Sequence, residues 1–350
     1  MKKNKPQLKA VDFFCGAGGV TCGFKAAGID VIAGIDIDNS CKETYEENNI
    51  GAQFIHADIS QLQPAQLEEK LQIAPNADNL IFVGCSPCQY YTIINTDKEK
   101  SAKGKTLLEE FRKFVEYFNP GYIFIENVPG IETKTESPLA DFVAFIKTKG
   151  YSTDAKVVNA SGYNVPQSRK RYVLIATRLN SEISIPKPSD KKITVRDAIS
   201  DLKVIQAGHK DALISKHWAA GLSPLSIERL EHTPHNGGTR LAWKNNKRLQ
   251  VPCYVGKDDI FRDIYGRMFW DLPSPTITTK FYSISNGRFG HPEQNRALSL
   301  REGASLQSFP RSYRFYSNTI GTIARMIGNA VPPQMAKKIG ESILHNYLSQ

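Results

Sequence analysis

KAVDFFCGAGG, residues 9–19, joins a short apolar run to a glycine-rich turn that opens a helix. The run has the composition of a strand buried on both faces, and glycines in such a turn let a ligand approach the backbone closely. Similar runs recur as DVIAGID, NLIFVGC, GYIFIEN and RYVLIAT, the last ending at Thr177. Helical patterns separate these runs, so the sequence predicts an α/β domain with a mainly parallel sheet.

Two helices between these strands have recognisable sequence signals. The first carries an apolar stripe at helical spacing and is stopped by Asn119-Pro120-Gly121. The second has Ser137 as N-cap, Pro138 in the first turn and Gly150 past its end. We expect the stripe to pack in the core; its members are Leu107, Leu108, Phe111, Phe114, Val115 and Phe118.

The 350 residues exceed the usual size of a single domain. After about Pro186 the periodicity is lost and Lys, Arg, His, Asn and Gly become frequent, until a helical pattern returns behind Pro332-Pro333. We therefore predict a first domain from residues 1–186 and 318–350, and a smaller, loop-rich domain over 187–317.

The overall charge points to a polyanionic partner. Lysine and arginine outnumber aspartate and glutamate by 45 to 35, which gives a formal charge of +10. Solubility charge spread over the surface explains this count equally well. The six cysteines, without an apolar leader or an apolar stretch of membrane-spanning length, favour a cytoplasmic protein without a disulfide framework or a membrane segment.

The glycine-rich turn indicates a nucleoside pocket. A dinucleotide-binding site typically has the pattern G-x-G-x-x-G. Here Gly16 and Gly18 are followed by Thr21 in place of the third glycine, which disfavours a nicotinamide oxidoreductase. Asp36 ends the second run and is placed to accept from a ribose, while Asp58 could accept from an adenine amino group. The alternative is that the glycines only shape a tight turn and that Asp36 is a loop carboxylate.

Candidate catalytic groups follow the later strands. Cys85-x-x-Cys88 lies after the third run, and without a second such pair we prefer a nucleophile to a zinc or redox site. Glu126 ends the fourth run, where it could also be an ordinary loop-end charge. Arg169 and Arg171 precede or begin the fifth run, and strand alternation predicts that they share a face; surface solvation is the alternative.

Six blocks in order, FFCGAGG, SPCQ, ENVPG, PQSRKR, LREGASLQSFP and IGNAVPP, resemble the signature blocks of the DNA cytosine-5 methyltransferase family. They run from Val11 to Pro333, and a variable stretch separates the fourth from the fifth. The resemblance implies a Rossmann-like S-adenosylmethionine-dependent methyltransferase fold, a smaller target-recognition domain, and a DNA cleft between the two.

The resemblance also implies catalytic roles. Cys88 would attack carbon 6 of a flipped-out cytosine, which turns the ring into an enamine-like species that can take a methyl group at carbon 5. Glu126 would hold or protonate ring nitrogen 3, and Asn127 would fix that loop. Arg171, with Arg169, would orient the base through its exocyclic oxygen.

By the same resemblance, the cofactor S-adenosyl-L-methionine would be cradled by a larger set: Phe14, Gly16, Gly18, Gly19, Asp36, Ile37, Asp58, Ile59, Pro87, Asn329 and Val331. Two positions depart from the family pattern. Phe14 stands in a Phe13-Phe14-Cys15 run where leucine and alanine are usual, and Asp36 stands where glutamate is common. We expect the shorter carboxylate to weaken the ribose contact.

The loop-rich domain supplies the predicted DNA contacts. Its basic and aromatic residues suit phosphates and guanine edges, and Thr276 resembles a threonine kept near the flipped nucleotide. His232-x-x-His235 lacks further ligands, so we predict no metal site. The residues expected to contact DNA are Arg240, Lys244, Arg248, Thr276 and Arg288.

The resulting hypothesis is a bacterial or phage DNA (cytosine-5-)-methyltransferase of restriction-modification type. We expect it to act as a monomer on double-stranded DNA in the cytoplasm, associated with the nucleoid, with a cognate restriction endonuclease acting separately. Two alternatives remain open: the same chemistry on transfer RNA, and a catalytically silent DNA-binding protein. The long recognition stretch favours DNA over transfer RNA, and the presence of the cysteine, glutamate and arginines favours an enzyme.

Overall fold

The computed structural model describes residues 5–87, 98–133, 137–179 and 182–350, with the backbone alone for 98–105. Cys88, the predicted nucleophile, lies outside these described residues. The chain divides into two compact units. The first comprises Met1–Tyr163, Lys170–Pro188 and Val331–Gln350, and the second comprises Asn164–Arg169 and Ser189–Ala330. The predicted domain boundaries stay a prediction; these units differ from them chiefly in keeping residues 318–330 and 164–169 in the second unit.

The described residues of the first unit form a seven-stranded sheet in the order β3-β2-β1-β4-β5-β7-β6. β1 to β5 run parallel, whereas β7 is antiparallel to both β5 and β6. This arrangement confirms the predicted α/β class with a mainly parallel sheet. The strands are β1 (Lys9–Phe13), β2 (Asp30–Asp36), β3 (Gln53–His56), β4 (Leu80–Gly84), β5 (Tyr122–Asn127), β6 (Ser152–Asn159) and β7 (Lys170–Thr177).

Helices connect and cover the strands of the first unit. They are α1 (Gly19–Ala26), α2 (Lys42–Asn48), α3 (Pro64–Leu71), α4 (Lys98–Phe118), α5 (Gly130–Thr133), α6 (Leu139–Thr148) and α11 (Pro333–Leu348). α11 has proline at its first turn and packs on α1, where a Cβ on Gly23 would come within 2.4 Å of the Pro333 carbonyl oxygen. α6 begins one residue later than its sequence signals suggest, although the Ser137 hydroxyl still accepts from the Leu139 amide at 3.3 Å.

A large core cluster of the first unit lies between the sheet and the helices α4 and α6. Residues from β1, β2, β4, β5 and β7 pack there with the predicted stripe of α4. Every side chain of β4 and β5 is buried, as expected for central strands covered on both faces. Edge-to-face contacts join Phe13 to Phe82 and Phe111.

The second unit has little regular structure among its described residues. Its α-helices are α7 (Val195–Ile199), α8 (Pro224–Glu231), α9 (Leu300–Leu306) and α10 (Ile320–Asn329). Backbone carbonyls outside ladders still need donors when buried. Buried arginines supply many of them: Arg229 donates to Leu249 and Gln250, and Arg301 donates to Ser215 and Tyr313.

Candidate active site

The sheet topology brings the candidate residues of the first unit to one edge. β1, β2, β4 and β5 are parallel, so their carboxyl ends meet there. β7 runs the other way, and its first residues therefore lie at the same edge. Ligands of open α/β sheets collect at such an edge. The glycine-rich turn, Asp36, Ser86, Glu126 and Arg171 are its polar features.

The glycine-rich turn is built from backbone that favours glycine. Phe14 has φ 62°, Gly16 has φ 49° and Gly18 has φ 81°, all in the left-handed region. The turn is held by a bond from the Cys15 amide to the Ile35 carbonyl, 3.1 Å. α1 begins directly after it, at Gly19. A Cβ added at Gly16 would meet nothing within 4 Å, so open space adjoins this residue.

Asp36 faces the same turn. Its Oδ2 accepts from the Gly16 amide at 2.7 Å, and its Oδ1 accepts from the Asp38 amide at 2.8 Å. Burial raises the pKa of this carboxyl, while these amide bonds lower it. Each carboxylate oxygen can accept more than one hydrogen bond, so Asp36 retains capacity for a ligand.

The other residues predicted to hold the cofactor differ in exposure. Ile37 is 63% exposed although apolar, which suits a contact with a ligand. Ile59 is 5% exposed, and its side chain packs in the hydrophobic core. Asp58 is exposed, and its Oδ1 accepts from the amide and hydroxyl of Ser60. Asn329 is exposed in the second unit, and Val331 is buried in the first.

The segment after β4 leads to the predicted nucleophile. Asn127, at the end of β5, is 1% exposed and donates to the carbonyl oxygen of Ser86 at 3.1 Å. Burial, with the nearby Glu126 charge, raises the pKa of the Cys85 thiol well above its usual range. Since only the thiolate is a strong nucleophile, Cys85 is an unsuitable one. Pro87 is exposed and is the last residue described before the gap that contains Cys88.

Glu126 and Arg171 form an ion pair on neighbouring strands. Glu126 lies opposite Val173 in the β5–β7 ladder, which makes Arg171 its diagonal neighbour on the same face. Arg171 Nε is 2.9 Å from Glu126 Oε1, and the two side chains are 12% and 9% exposed. Among the described residues, this Oε1 atom has no partner with hydrogen-bond geometry. A buried acceptor in this state is suited to a group brought by a substrate.

Arg169 has a different position from the one predicted. β7 begins at Lys170, so strand alternation does not extend back to it. Arg169 is 4% exposed and donates to the carbonyls of Ile277 and Gly328, at 3.0 and 3.1 Å. All three residues belong to the second unit. These two bonds hold parts of the second unit together, and the role of Arg169 in orienting the base with Arg171 stays a prediction.

Two of the arginines predicted to contact DNA are also occupied internally. Arg240 is 4% exposed and donates to the carbonyls of Lys257, Ile260 and Phe261. Arg288 donates to the carbonyls of Gly237 and Arg267 and pairs with Asp263 at 2.8 Å. In this structure loop carbonyls use these guanidinium donors, and contact of Arg240 and Arg288 with DNA stays a prediction.

The remaining predicted DNA contacts are accessible to different degrees. The side chains of Lys244 and Arg248 are 48% and 76% exposed, and they pair with Asp258 and Glu228 at 3.0 and 2.7 Å. Surface pairs of this kind are weak and can exchange for phosphates. Thr276 donates its hydroxyl to the Ser168 carbonyl at 2.9 Å. Among the residues described, no group of His, Cys, Asp and Glu is arranged to hold a metal ion.

Sequence reasoning missed Asp12. It lies in β1 with 1% exposure, and its Oδ2 accepts from the Thr21 hydroxyl at 2.7 Å. That hydroxyl is also 2.9 Å from the Tyr45 hydroxyl. Burial raises the pKa of Asp12 to about 7. The available signal was a single acidic residue inside the otherwise apolar run after Lys9.

Comparisons with known proteins agree with this geometry. A family model described as C-5 cytosine-specific DNA methylase matches residues 8–345. The Type II methylase M.HgiDII of Herpetosiphon aurantiacus is 38% identical over 341 residues, which cover 95% of this chain and 94% of that protein. The Type II methyltransferase M1.HphI of Haemophilus parahaemolyticus is 31% identical, covering 96% of this chain and 87% of its own length.

Solved structures support the fold. A protein described as a DNA modification methyltransferase encoded within an E. coli prophage has a TM-score of 0.75 at 24% identity, covering 98% of this chain and 100% of that one. The Dnmt2 methyltransferase of S. pombe has a TM-score of 0.62 at 18% identity, covering 99% and 100%. These likenesses confirm the predicted methyltransferase fold. From the match over nearly its whole length, the chain belongs to the C-5 cytosine-specific DNA methylase family, the family of the DNA (cytosine-5-)-methyltransferases.

Proposed function

We propose that this chain transfers a methyl group from S-adenosylmethionine to carbon 5 of a cytosine that is flipped out of duplex DNA, through a covalent adduct with Cys88. The observation that carries the proposal is the buried Glu126–Arg171 pair with a separation of 2.9 Å. It lies beside the Asn127–Ser86 bond, which fixes the start of the segment leading to Cys88. A carboxyl, a guanidinium and a cysteine are the groups that addition to a cytosine ring requires.

Each of these residues has a definite part in the addition. The Cys88 thiolate forms a bond to carbon 6, and the ring electrons move toward nitrogen 3. Glu126 holds or delivers a proton at nitrogen 3, which keeps negative charge from building on the ring. Arg171 donates to the exocyclic oxygen of the base and keeps the Glu126 carboxyl in place. After transfer, water takes the proton from carbon 5, the electron pair of that bond forms the C5–C6 double bond, and the Cys88 thiolate leaves carbon 6.

The glycine-rich turn and the end of β2 fit the cofactor. S-adenosylmethionine supplies the electrophilic methyl group when bound. Gly16 opens onto free space, Asp36 retains acceptor capacity for ribose hydroxyls, and Ile37 offers an exposed apolar surface to an adenine ring. Phe14, Gly18, Asp58, Pro87, Asn329 and Val331 complete the set that we assign to cofactor binding.

DNA binding is assigned to the second unit. Lys244 and Arg248 have exposed side chains whose present partners are surface carboxylates, so phosphates can replace those partners. We also assign Thr276, whose hydroxyl donates to the Ser168 carbonyl at 2.9 Å, to a contact with the target nucleotide. Extrusion of the base from the stack is required because carbon 6 is not accessible inside a duplex.

The biological role is inferred by analogy with the named relatives. Two of them are Type II methylases or methyltransferases of bacteria. We infer that this chain methylates one specific duplex sequence as a monomer associated with the nucleoid, and that this protects the DNA from a separate restriction endonuclease. Among the residues described, every helix is too short or too polar to cross a lipid bilayer.

The direct test is product analysis on two substrates. The purified protein is incubated with S-adenosylmethionine and either unmethylated duplex DNA or transfer RNA, and 5-methylcytosine is quantified after digestion to nucleosides. We expect product in DNA alone, at one sequence context. Product in RNA alone would overturn the proposal that DNA is the substrate. The absence of product in both would favour a catalytically silent DNA-binding protein.

A second test locates the nucleophile. Duplex DNA that carries 5-fluorocytosine traps the adduct, because fluorine at carbon 5 cannot leave as a proton does. Cys88→Ser should retain cofactor binding and form no adduct. Cys85→Ser is the matched control: the raised pKa of the Cys85 thiol keeps it protonated, so the adduct should still form in this variant. Loss of the adduct in Cys85→Ser with the fold intact, or its persistence in Cys88→Ser, would reassign the nucleophile.

A further inference from the structure

Asp12 is a buried carboxyl group for which the catalytic steps above have no role. It is 1% exposed and belongs to β1, opposite Gly34 of β2 and Val83 of β4. Its Oδ2 accepts from Thr21, whereas its Oδ1 has no hydrogen-bond partner among the described residues. A buried acceptor left in this state costs stability and calls for an explanation.

The groups around Asp12 are acidic or neutral. Thr21 on α1 donates to it, and the hydroxyl of Tyr45 on α2 lies next to that of Thr21. The ionisable side chains coupled to it are Asp36 at the end of β2, Cys15 in the glycine-rich turn, and Cys85 after β4. Glu126, in contrast, is paired with the Arg171 guanidinium. The region at the carboxyl ends of β1, β2 and β4 therefore favours a positively charged group of a ligand.

The order of strands places the middle of the cofactor near Asp12. β1 lies between β2 and β4, and adjacent strands are about 4.8 Å apart. A ligand whose ribose is held at Asp36, after β2, must cross the end of β1 to deliver a methyl group to a base held by the segment after β4. The positively charged sulfonium joins the ribose to that methyl group, so it falls over the end of β1, where Asp12 is the last residue but one.

We propose that Asp12 is a positioning residue that favours the cationic sulfonium form of the cofactor over its neutral thioether product, S-adenosylhomocysteine. This inference rests on the proposed function. The interaction is electrostatic and acts across a dry interior, where charges are weakly screened, and so it needs no direct contact. Its consequence is that the product is released more readily than the substrate once the charge has been lost with the methyl group.

The proposal has a pH signature. Burial raises the pKa of Asp12 to about 7, so the carboxyl gains its charge between pH 6 and pH 8. The charged form favours a cation, so the preference for S-adenosylmethionine over S-adenosylhomocysteine should rise with pH over this range. Binding of the cation should likewise release protons near pH 7, because it stabilises the ionised carboxyl.

The experiment is titration calorimetry of the full chain with each ligand, from pH 6 to pH 8. Asp12→Asn keeps the size of the side chain and removes its charge. Asp30→Asn is the matched control, because Asp30 begins β2 at the opposite end of the sheet. The ratio compared is the dissociation constant of S-adenosylhomocysteine divided by that of S-adenosylmethionine. At pH 8 we expect Asp12→Asn to lower this ratio by about tenfold, which corresponds to ~1.4 kcal/mol. Asp30→Asn should leave the ratio unchanged.

Proton release gives a second readout that needs no well-folded variant. At pH 7, the heat of binding to the unaltered protein in buffers of different ionisation enthalpy should show more protons released with S-adenosylmethionine than with S-adenosylhomocysteine. In Asp12→Asn, this excess of released protons should be smaller than in the unaltered protein. If both ligands bind, and neither the ratio of their dissociation constants nor the number of protons released depends on Asp12 or pH, the inference about Asp12 is wrong while the proposed function stands. If neither ligand binds, the proposed function fails with it.

Discussion

Replacing Arg267 by methionine should destabilise the second compact unit far more than replacing an exposed arginine. Arg267 is 0% exposed. Its Nε donates to the Thr233 carbonyl at 3.0 Å, and its Nη1 donates to the carbonyls of His291 and Gln294 at 3.0 and 2.8 Å. Its Nη2 donates to the Leu230 carbonyl at 2.8 Å and to the Asn295 side chain. All the N–H groups of the guanidinium are thus in use.

The expected loss follows from those bonds. Methionine fills a similar volume and removes four hydrogen bonds to carbonyls, at about 1 kcal/mol each. The Thr233 and His291 carbonyls lose their donor, whereas those of Leu230 and Gln294 keep the amides of Thr233 and Arg296. We therefore expect a decrease of about 4 kcal/mol in the free energy of unfolding, against a total of roughly 5–15 kcal/mol for a typical protein. For a unit of this size, that is a fall of roughly 8–16 °C in Tm.

Tryptophan fluorescence during urea unfolding measures this effect selectively. Trp218, Trp243 and Trp270 all belong to the second unit, so the signal reports on that unit. Arg262→Met is the control, because Arg262 is exposed and its loss should cost less than about 0.5 kcal/mol. A midpoint for Arg267→Met as high as that of the control, with weakened DNA binding, would show that Arg267 contacts DNA and that the reasoning is wrong.

Three further outcomes are expected. Glu126→Gln should lower the methyl-transfer rate by about 10²–10⁴-fold while cofactor affinity measured by calorimetry is retained; a rate near that of the unaltered enzyme would exclude Glu126 as the proton carrier. Burial lowers the pKa of His291 to about 4, and Arg296, acting against the effect of burial, lowers that of Glu302 to about 2. Below pH 6.5 the unfolded state then binds more protons than the folded state. The second unit should therefore lose stability as the pH falls from 6.5 through 4 and towards 2. Equal midpoints of urea unfolding at pH 6.5 and pH 4 would contradict this. Arg248→Glu should weaken DNA binding and reduce the slope of log affinity against log salt by about 1, and an unchanged slope would remove it from the interface.

The strands that could be predicted from the sequence are the ones that are buried on both faces. The five predicted runs correspond to β1, β2, β4, β5 and β7, which occupy the interior of the sheet. β3 and β6 were missed because they are the edge strands. β6 has mostly exposed or half-buried side chains, including Lys156 and Val157, so its sequence shows neither a continuous apolar run nor a clean alternation.

The candidate site was predictable where a residue follows a strand directly. Asp36, Glu126 and Asn127 lie where their strands end, and parallel strands bring such ends together. The Glu126–Arg171 pair depends on the antiparallel register of β5 and β7, which composition and period do not specify. The buried arginines were not predictable either. A loop-rich segment gives each arginine the same sequence context, whether its guanidinium faces water or satisfies carbonyls inside the unit.

The hydrogen bonds of Arg169 determine which segments must be exchanged to transfer DNA sequence specificity between relatives. A chimera that exchanged only residues 187–317 would take Ile277 from one parent and keep Arg169 and Gly328 from the other. The short segment Asn164–Arg169 and the long segment Ser189–Ala330 instead form one cassette in two pieces. Exchanging both pieces keeps every donor with the carbonyls it evolved beside, so a graft of sequence specificity should be cut at residues 164, 170, 189 and 331.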